Sequence, residues 1–407
     1  MPDPIIIAVV AFAIAIILAA VFLRPGRKRD TQSLYTEGLD HLLRGNLKRA
    51  FKSFRGVIEK DTDHVAAYLK MGQVLRQGSA ADKALKLHES LLARTGLSSY
   101  ERMELYKNLA LDYAALKQPA KAVEWGRAIL KLDKRNSWAL RHLVRFFRQM
   151  GDWGSAGKYL AQWQKTKQKV DTRLQALCRF RQGYDRRQVD PPETVRAHYV
   201  QALKIDKSFA PAQYYLAESY SDEVAQYRRE LTALEDPSGG RTDDRRQEEL
   251  HRKIGKLYPQ AVAHWSSFVE LSPRDTYRVL QRVEEALYFL QRFDDVEPFL
   301  KQVLDKDPQN LDGIAGLANF YVRKGQLDKA EQLLATVPEE ASDGPLISTI
   351  QLKLNYLRNA DQNLLPELDR LVDSIRRNVK DLAGREAEQT SMMSWLHPES
   401  DPLEKLA

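Results

Sequence analysis

The sequence is poor in cysteine, with Cys178 as the single cysteine in 407 residues. One thiol cannot form a disulfide within the chain or supply a cysteine-based zinc site, and the composition suits a reducing compartment. Wholesale disorder is also excluded, because 43% hydrophobic and 29% charged residues are typical of a folded protein. The length predicts two or three domains or one elongated array.

The sequence also lacks the short motifs of common enzymes. It contains no G-x-G-x-x-G, H-E-x-x-H, C-x-x-C or G-x-S-x-G pattern. The eight histidines are scattered, and His88 stands at a helix-packing position, which favours a hydrogen-bonded core histidine over a metal ligand. We therefore predict that the protein is not an enzyme and that it needs no metal or cofactor.

Net charge is +8, with an isoelectric point near 9.2. This excess of positive charge is modest for a chain of this length. It permits an acidic partner or an anionic membrane surface, but it does not predict binding to nucleic acid.

The N-terminus carries the one long hydrophobic run, from Pro4 to Leu23, without a charged residue. As a helix it measures about 30 Å, the thickness of a bilayer core. A cleaved signal peptide is the alternative, but it needs basic residues before a shorter run. Here the basic residues follow the run and are Arg24, Arg27, Lys28 and Arg29. Since positive charge stays cytoplasmic, we expect residues 1–3 outside, a membrane helix at 4–23, a basic linker at 24–30 and the remainder in the cytoplasm.

Three small residues recur every four positions in this run, at Ala11, Ala15 and Ala19. Small residues at this spacing allow two membrane helices to approach closely, which predicts a possible homodimer. The alternative is that alanine is ordinary filler in an apolar helix.

The remainder of the chain has an internal repeat. Similar segments place a small residue after a polar turn, with a bulky apolar residue usually four positions later. The small residues are Ala50, Ala84, Ala122, Ala156, Ala197, Ala261 and Ala330, with Val296 in the equivalent place. Their successive gaps are 34, 38, 34, 41, 64, 35 and 34 residues. A period of about 34 residues is typical of the tetratricopeptide repeat, a pair of helices.

The repeat predicts an all-α fold, a tetratricopeptide superhelix following a membrane helix. We assign eight helix pairs to residues 31–338 and interpret the 64-residue gap as a helical insertion at 221–257. A solvated extension without a specific role is the alternative for the insertion. Residues 339–382 are predicted to be capping helices, because the end of such an array needs a cover, and residues 383–407 a flexible tail.

A row of basic residues is the candidate binding site. In this repeat class the exposed side of the first helix of each pair lines the concave groove. Guanidinium groups in a groove can bind carboxylates through two parallel hydrogen bonds, which predicts an acidic protein segment as the ligand. A plain solvated helix face is the alternative. The candidate residues are Arg76, Lys107, Trp138, Arg141, Arg145 and Arg148.

Residues 35–94, beginning YTEGLDHLLRGNLKRAFKSF, and residues 104–125, ELYKNLALDYAALKQPAKAVEW, carry a family resemblance. These segments follow an N-terminal hydrophobic run and a cluster of basic residues. They resemble the lipopolysaccharide assembly protein B family of bacterial inner-membrane proteins. The resemblance is most specific over residues 31–163 and extends as generic repeats to about residue 382. It implies a cytoplasm-facing adaptor that brings a membrane AAA protease together with the deacetylase of lipid A synthesis.

The sequence departs from that family at its C-terminal end. The family ends in a rubredoxin-like metal domain with two C-x-x-C pairs, whereas no cysteine follows Cys178 here. No metal ligand is therefore carried over from the resemblance. Two alternatives to the adaptor stay open: a scaffold for an envelope complex in secretion, pilus assembly or division, and an enzyme with an unrecognised site.

Overall fold

The computed structural model describes residues 30–235, 244–342 and 344–358, together with Leu368 and Leu371. All regular structure in these ranges is helical. The chain divides into two compact units, residues 1–150 and residues 151–407. The predicted membrane helix with Ala11, Ala15 and Ala19, and the tail at 383–407, lie outside the described residues, as does nearly all of the linker. No helix in the described ranges combines the length and apolar character needed to cross a bilayer.

The first unit consists of consecutive helices joined by short turns, each packed against the next. Its helices are α1 (Thr31–Leu43), α2 (Leu47–Lys60), α3 (Val65–Gln77), α4 (Ala81–Leu91), α5 (Ser99–Ala115), α6 (Pro119–Leu132) and α7 (Ser137–Gln149). In addition α3 contacts α5, so alternate helices also pack together.

The second unit continues with longer and more varied helices. They are α8 (Trp153–Lys167), α9 (Thr172–Tyr184), α10 (Pro192–Ile205), α11 (Ala210–Glu235), α12 (Asp244–Leu271), α13 (Leu280–Phe289), α14 (Val296–Lys306), α15 (Leu311–Arg323), α16 (Leu327–Leu334), α17 (Glu339–Ser342) and α18 (Pro345–Arg358). Pro273 and Pro308 each follow shortly after a helix end, as the sequence predicts.

The small residue of the repeat is buried in seven of its eight predicted places. Ala50, Ala84, Ala122, Ala156, Ala261 and Ala330 have no exposed surface, and Val296 is 1% exposed. Their bulky neighbours Phe54, Leu160 and Trp265 are also completely buried. Their burial is what the repeat spacing predicts for residues at close helix crossings.

The prediction for Ala197 is wrong, because this residue is exposed on α10. The buried residues of the helix are instead Val195, Arg196, Tyr199 and Ala202. The small residue at the crossing of α9 and α10 lies on α9. A Cβ added to Gly183 of α9 would lie 2.9 Å from the Cβ of His198, so glycine is what allows the close approach.

The backbone of the turns repeats with the same period. A residue with positive φ occurs two positions after the end of six helices. Three of these residues are glycines, Gly45, Gly151 and Gly325, with φ of 71–73°. The other three carry side chains and are Ser79, Lys117 and Gln291, with φ of 56–62°.

The predicted insertion at 221–257 is built into α11 and α12, which have 26 and 28 residues. At 1.5 Å per residue these helices measure about 39 and 42 Å, compared with about 20 Å for the 13 residues of α15. They pack against each other. One set of buried residues on α11 recurs every seven positions and consists of Ala210, Ala217, Val224 and Leu231, and α12 contributes Leu250, Ile254, Tyr258, Ala261 and Trp265. Ala212 and Leu216 of α11 are buried as well. The added length is therefore an extension of one packed helix pair.

The predicted cap is described as far as Arg358. Helix α18 packs against α15 and α16 and buries Ile347, Ile350 and Leu354. This packing is compatible with a capping helix, and the assignment of residues 339–382 as a cap stays a prediction.

Candidate protein-binding groove

Helix α7 carries most of the predicted site, and its sequence separates two faces. Asn136 caps its first turn, accepting a hydrogen bond of 3.0 Å from the backbone amide of Ala139. The same side chain lies 3.3 Å from Met103 Sδ on α5, which positions the helix start. The apolar side chains of α7 are buried. Trp138, Arg141, Arg145 and Arg148 occupy the opposite face at spacings of three and four.

Trp138 is the centre of this face. Its ring stacks on His142 with centroids 3.8 Å apart, and the Nδ1 of His142 donates a hydrogen bond of 2.9 Å to the Trp138 carbonyl oxygen. Lys107 of α5 places its ammonium 5.8 Å from the Trp138 ring centroid and 2.6 Å from Glu104. A cation over an indole face is an attractive contact, so α5 and α7 are joined here by an aromatic surface bearing positive charge.

Arg141 and Arg145 are the cations without a counterion. Arg145 is exposed, and neither arginine forms a hydrogen bond or ion pair within the described residues. The Nε of Arg141 is buried and has no acceptor. A buried donor without a partner costs roughly 1–3 kcal/mol. Since Nε itself is enclosed, a ligand would meet the other nitrogens of this guanidinium. Arg148 follows on the same face and is half-buried.

The electrostatic effect of the cluster appears at His142, which is 8% exposed. Burial, reinforced by the positive charges of Arg141, Arg145 and Lys107, lowers the pKa of His142 to about 4, against the opposing effect of its hydrogen bond to Trp138. His142 is therefore neutral at pH 7, and because Lys107 pairs with Glu104, the net positive charge of the surface belongs to the arginines.

Arg76 has a different environment from the other five residues. Its Nη1 lies 2.5 Å from Oδ1 of the buried Asp112 on α5, and its Nη2 donates to Oδ1 of Asn108 at 3.2 Å. The other carboxylate oxygen of Asp112 is hydrogen-bonded to Nδ1 of His88, which is fully buried. The charge of Arg76 is thus neutralised inside the unit, where it joins α3, α4 and α5.

The sequence prediction of His88 as a satisfied core histidine is confirmed, but its partner Asp112 was missed. A signal was available at Gly72 on α3. A Cβ at this position would lie 2.2 Å from Nε2 of His88, so a glycine opposite a histidine indicates a polar side chain buried between the two helices. The part of the chain that the structure describes contains no group of three His, Cys, Asp or Glu residues placed to hold a metal ion.

Comparison with known proteins supports the repeat assignment. Residues 290–354 match the family model of the tetratricopeptide repeat. Residues 290–354 therefore contain a tetratricopeptide repeat, and the helices that the structure describes form an all-α array of helix pairs. Lipopolysaccharide assembly protein B of Escherichia coli strain K12 is 24% identical over 140 residues, which is 34% of this chain and 36% of that protein. The same protein of Escherichia coli O157:H7 gives equal values. The chain thus spans about a third of the length of the curated relatives it matches.

Several solved structures are similar in their helical repeats. The crystal structure of MamA protein has a TM-score of 0.34 and 15% identity, covering 44% of this chain and 94% of that one. YrrB, a tetratricopeptide repeat protein described with an unusual peptide-binding site, has a TM-score of 0.34 and 18% identity, covering 44% and 89%. A repeat protein from Parabacteroides merdae has a TM-score of 0.31 and 11% identity, covering 79% and 98%. The helix pairs themselves, and not these likenesses, define the fold.

Proposed function

We propose that this protein is an adaptor that captures an acidic segment of a partner protein on the surface formed by Lys107, Trp138, Arg141 and Arg145. The observation that carries the proposal is the pair of arginines without counterions, one of which has a buried Nε without an acceptor. A carboxylate from a partner would accept from both guanidinium groups, and charge-assisted hydrogen bonds of this kind are about twice as strong as neutral ones. The indole of Trp138 adds apolar contact area, which is typical of binding hot spots.

The adaptor role extends to the membrane through the hydrophobic run at 4–23. Tethering the array at the bacterial inner membrane, with its repeats in the cytoplasm, raises the effective concentration of a captured client near a membrane enzyme. The partial identity to lipopolysaccharide assembly protein B supports a role in regulating lipopolysaccharide synthesis, with a membrane AAA protease and its client as partners. A homodimer through Ala11, Ala15 and Ala19 belongs to the same proposal.

The binding surface is tested with Arg141→Glu plus Arg145→Glu in the full-length chain. Crosslinking and affinity capture from native membranes should recover partners at least tenfold less efficiently than with the unmodified protein, because like charges then face the acidic ligand. The matched control is Lys48→Glu plus Lys52→Glu, two exposed lysines on α2 with the same spacing and the same change in charge. Thermal unfolding followed by circular dichroism checks that both variants fold. Equal partner recovery from the two folded variants contradicts the proposed surface.

The adaptor is distinguished from a scaffold by protein turnover. Depletion of the protein, followed by measurement of half-lives across the proteome, should lengthen or shorten the life of a client if the adaptor serves a protease. A scaffold for a secretion, pilus or division complex predicts stable co-purification with membrane components and no change in any half-life.

A further inference from the structure

A cavity of about 310 Å³ lies in the second unit. This volume is at the lower end of the range for ligand pockets. Its walls come from the turn after α9, from the first half of α10 and from one face of α11. Three tyrosines and three carboxylates define its chemistry, and they are Tyr199, Tyr214, Tyr215, Glu218, Asp222 and Glu223.

Two of the carboxylates are neutralised by arginines that do not line the cavity. Glu218 pairs with Arg282, and Oε2 of Glu223 accepts a hydrogen bond of 2.9 Å from Nη2 of Arg196. Asp222 forms no hydrogen bond or ion pair with any residue that the structure describes. Neighbouring atoms displace part of the water around the carboxylate and so raise the pKa of Asp222, while the residue keeps an exposed surface through which a ligand can reach it.

Tyr199 gives a second, independent indication of a ligand. The residue is 1% exposed and lines the cavity, yet its hydroxyl forms no hydrogen bond within the described ranges. Buried tyrosine hydroxyls usually find a hydrogen-bond partner. A donor group from a ligand in the cavity would supply this one.

The remaining tyrosines form an aromatic corner. The rings of Tyr214 and Tyr215 meet edge to face at 87° with centroids 5.1 Å apart, and both residues line the cavity. Aromatic faces combined with a carboxylate are typical of sites that bind ammonium or guanidinium groups. The one cation that lines the cavity, Arg187, is held against Tyr184, since its guanidinium lies 3.9 Å from that ring centroid and donates to the residue's carbonyl oxygen at 2.7 Å. Its charge still acts on Tyr199 and Tyr215, where burial raises the pKa and Arg187 offsets part of that increase.

We propose that this cavity binds the cationic end of an arginine or lysine side chain from a partner polypeptide. The charged group pairs with the carboxylate of Asp222 and donates to the hydroxyl of Tyr199, and the aliphatic stem packs against Tyr214 and Tyr215. The site is separate in residues and opposite in charge preference from the basic surface on α5 and α7, so it stands without the proposed function.

The test uses the full-length protein and two blocked peptides, acetyl-Gly-Arg-Gly-amide and its citrulline counterpart, which is similar in shape but uncharged. Saturation-transfer NMR and titration calorimetry should show that the arginine peptide binds about tenfold more tightly than the citrulline peptide. Asp222→Asn should remove that preference, and Tyr199→Phe should weaken arginine binding about threefold by removing one acceptor. The matched control is Asp305→Asn, an exposed aspartate on α14, which should bind like the unmodified protein.

Equal affinity for the two peptides overturns the proposal, as does a folded Asp222→Asn variant that keeps the preference. A parallel binding measurement with spermidine distinguishes the source of the cation. If spermidine binds through Asp222 while the arginine peptide does not bind, the site takes a free polyamine and the polypeptide proposal is wrong. Arg141→Glu plus Arg145→Glu should leave arginine-peptide binding unchanged, which separates this test from that of the basic surface.

Discussion

The two candidate sites, one in each unit, present opposite charges without counterions. In the first unit the buried carboxylate of Asp112 is matched by Arg76 and His88, whereas Arg141 and Arg145 on α7 have no counterion among the described residues. At the cavity of the second unit Glu218 and Glu223 are matched by Arg282 and Arg196, whereas the exposed carboxylate of Asp222 has no such partner. Since both units use the same kind of helical framework, we expect any difference in what they bind to come from the side chains that lack a partner.

The largest loss of folding free energy is expected for a substitution at Asp112, the buried carboxylate that Arg76 neutralises in the first unit. Asp112→Ala removes the shared partner of Arg76 and His88 and leaves a buried guanidinium uncompensated. Loss of one member of a buried pair typically costs about 3–5 kcal/mol of folding free energy. Urea unfolding measured by circular dichroism should show this loss. The control is Asp82→Ala in the exposed first turn of α4, for which a loss below about 1 kcal/mol is expected. Similar losses for the two variants would show that the buried network adds little.

A smaller effect concerns the pH dependence of the first unit. In the folded state the pKa of His142 is about 4, below its unfolded value near 6.5. Unfolding therefore takes up a proton between these values, and stability is complete above pH 6.5 and is lost as the pH falls towards 4. The loss should be on the order of 2–3 kcal/mol for this half-buried cluster, and His142→Phe, which keeps a ring against Trp138, should abolish it.

The dependence of histidine pKa values on ionic strength tests the same comparison between the units. His264 in the second unit has its pKa lowered by burial alone, whereas Arg141, Arg145 and Lys107 contribute at His142. Raising ionic strength screens those cations, so the pKa of His142 measured by NMR should rise while that of His264 stays constant. An equal shift of the two pKa values would mean that the cations do not act on His142.

The smallest effect should be common to both units. Lys117 and Gln291 hold the left-handed turn conformation with φ of 57° and 56°, which side chains disfavour by roughly 1–2 kcal/mol. Lys117→Gly and Gln291→Gly should each stabilise the protein by about 1 kcal/mol in thermal unfolding. Lys121→Gly, inside α6, is the control and should destabilise by about 0.5–1 kcal/mol. A gain in only one unit would show that the turns are not equivalent.

The sequence predicts the helix pairs well, because the signals that mark them are local. The position of Ala50 or Ala330 relative to a turn is sufficient to place a crossing. The prediction for Ala197 fails, because an alanine carries no information about which face of its helix is buried. The small residue of that crossing is Gly183 on the neighbouring helix.

The candidate site could be predicted only in part. The spacing of Trp138, Arg141 and Arg145 places them on one face, but the pairing of Arg76 with Asp112 joins residues 36 positions apart and depends on packing. The cavity in the second unit was missed, although the segment YYLAESYSDE at 214–223 sets tyrosines and acids one turn apart. Which of those acids lacks a partner depends on Arg282 and Arg196, and no local pattern contains that information.

The seven-residue spacing of buried side chains along α11 has a consequence for how the chain can vary. Ala210, Ala217, Val224 and Leu231 repeat at the interval that keeps a seam in register along two paired helices. Adding or deleting seven residues in both α11 and α12 would lengthen or shorten this pair by about 10 Å while leaving every remaining contact in phase. The spacing along this seam therefore allows the length of the pair to change in steps of seven residues.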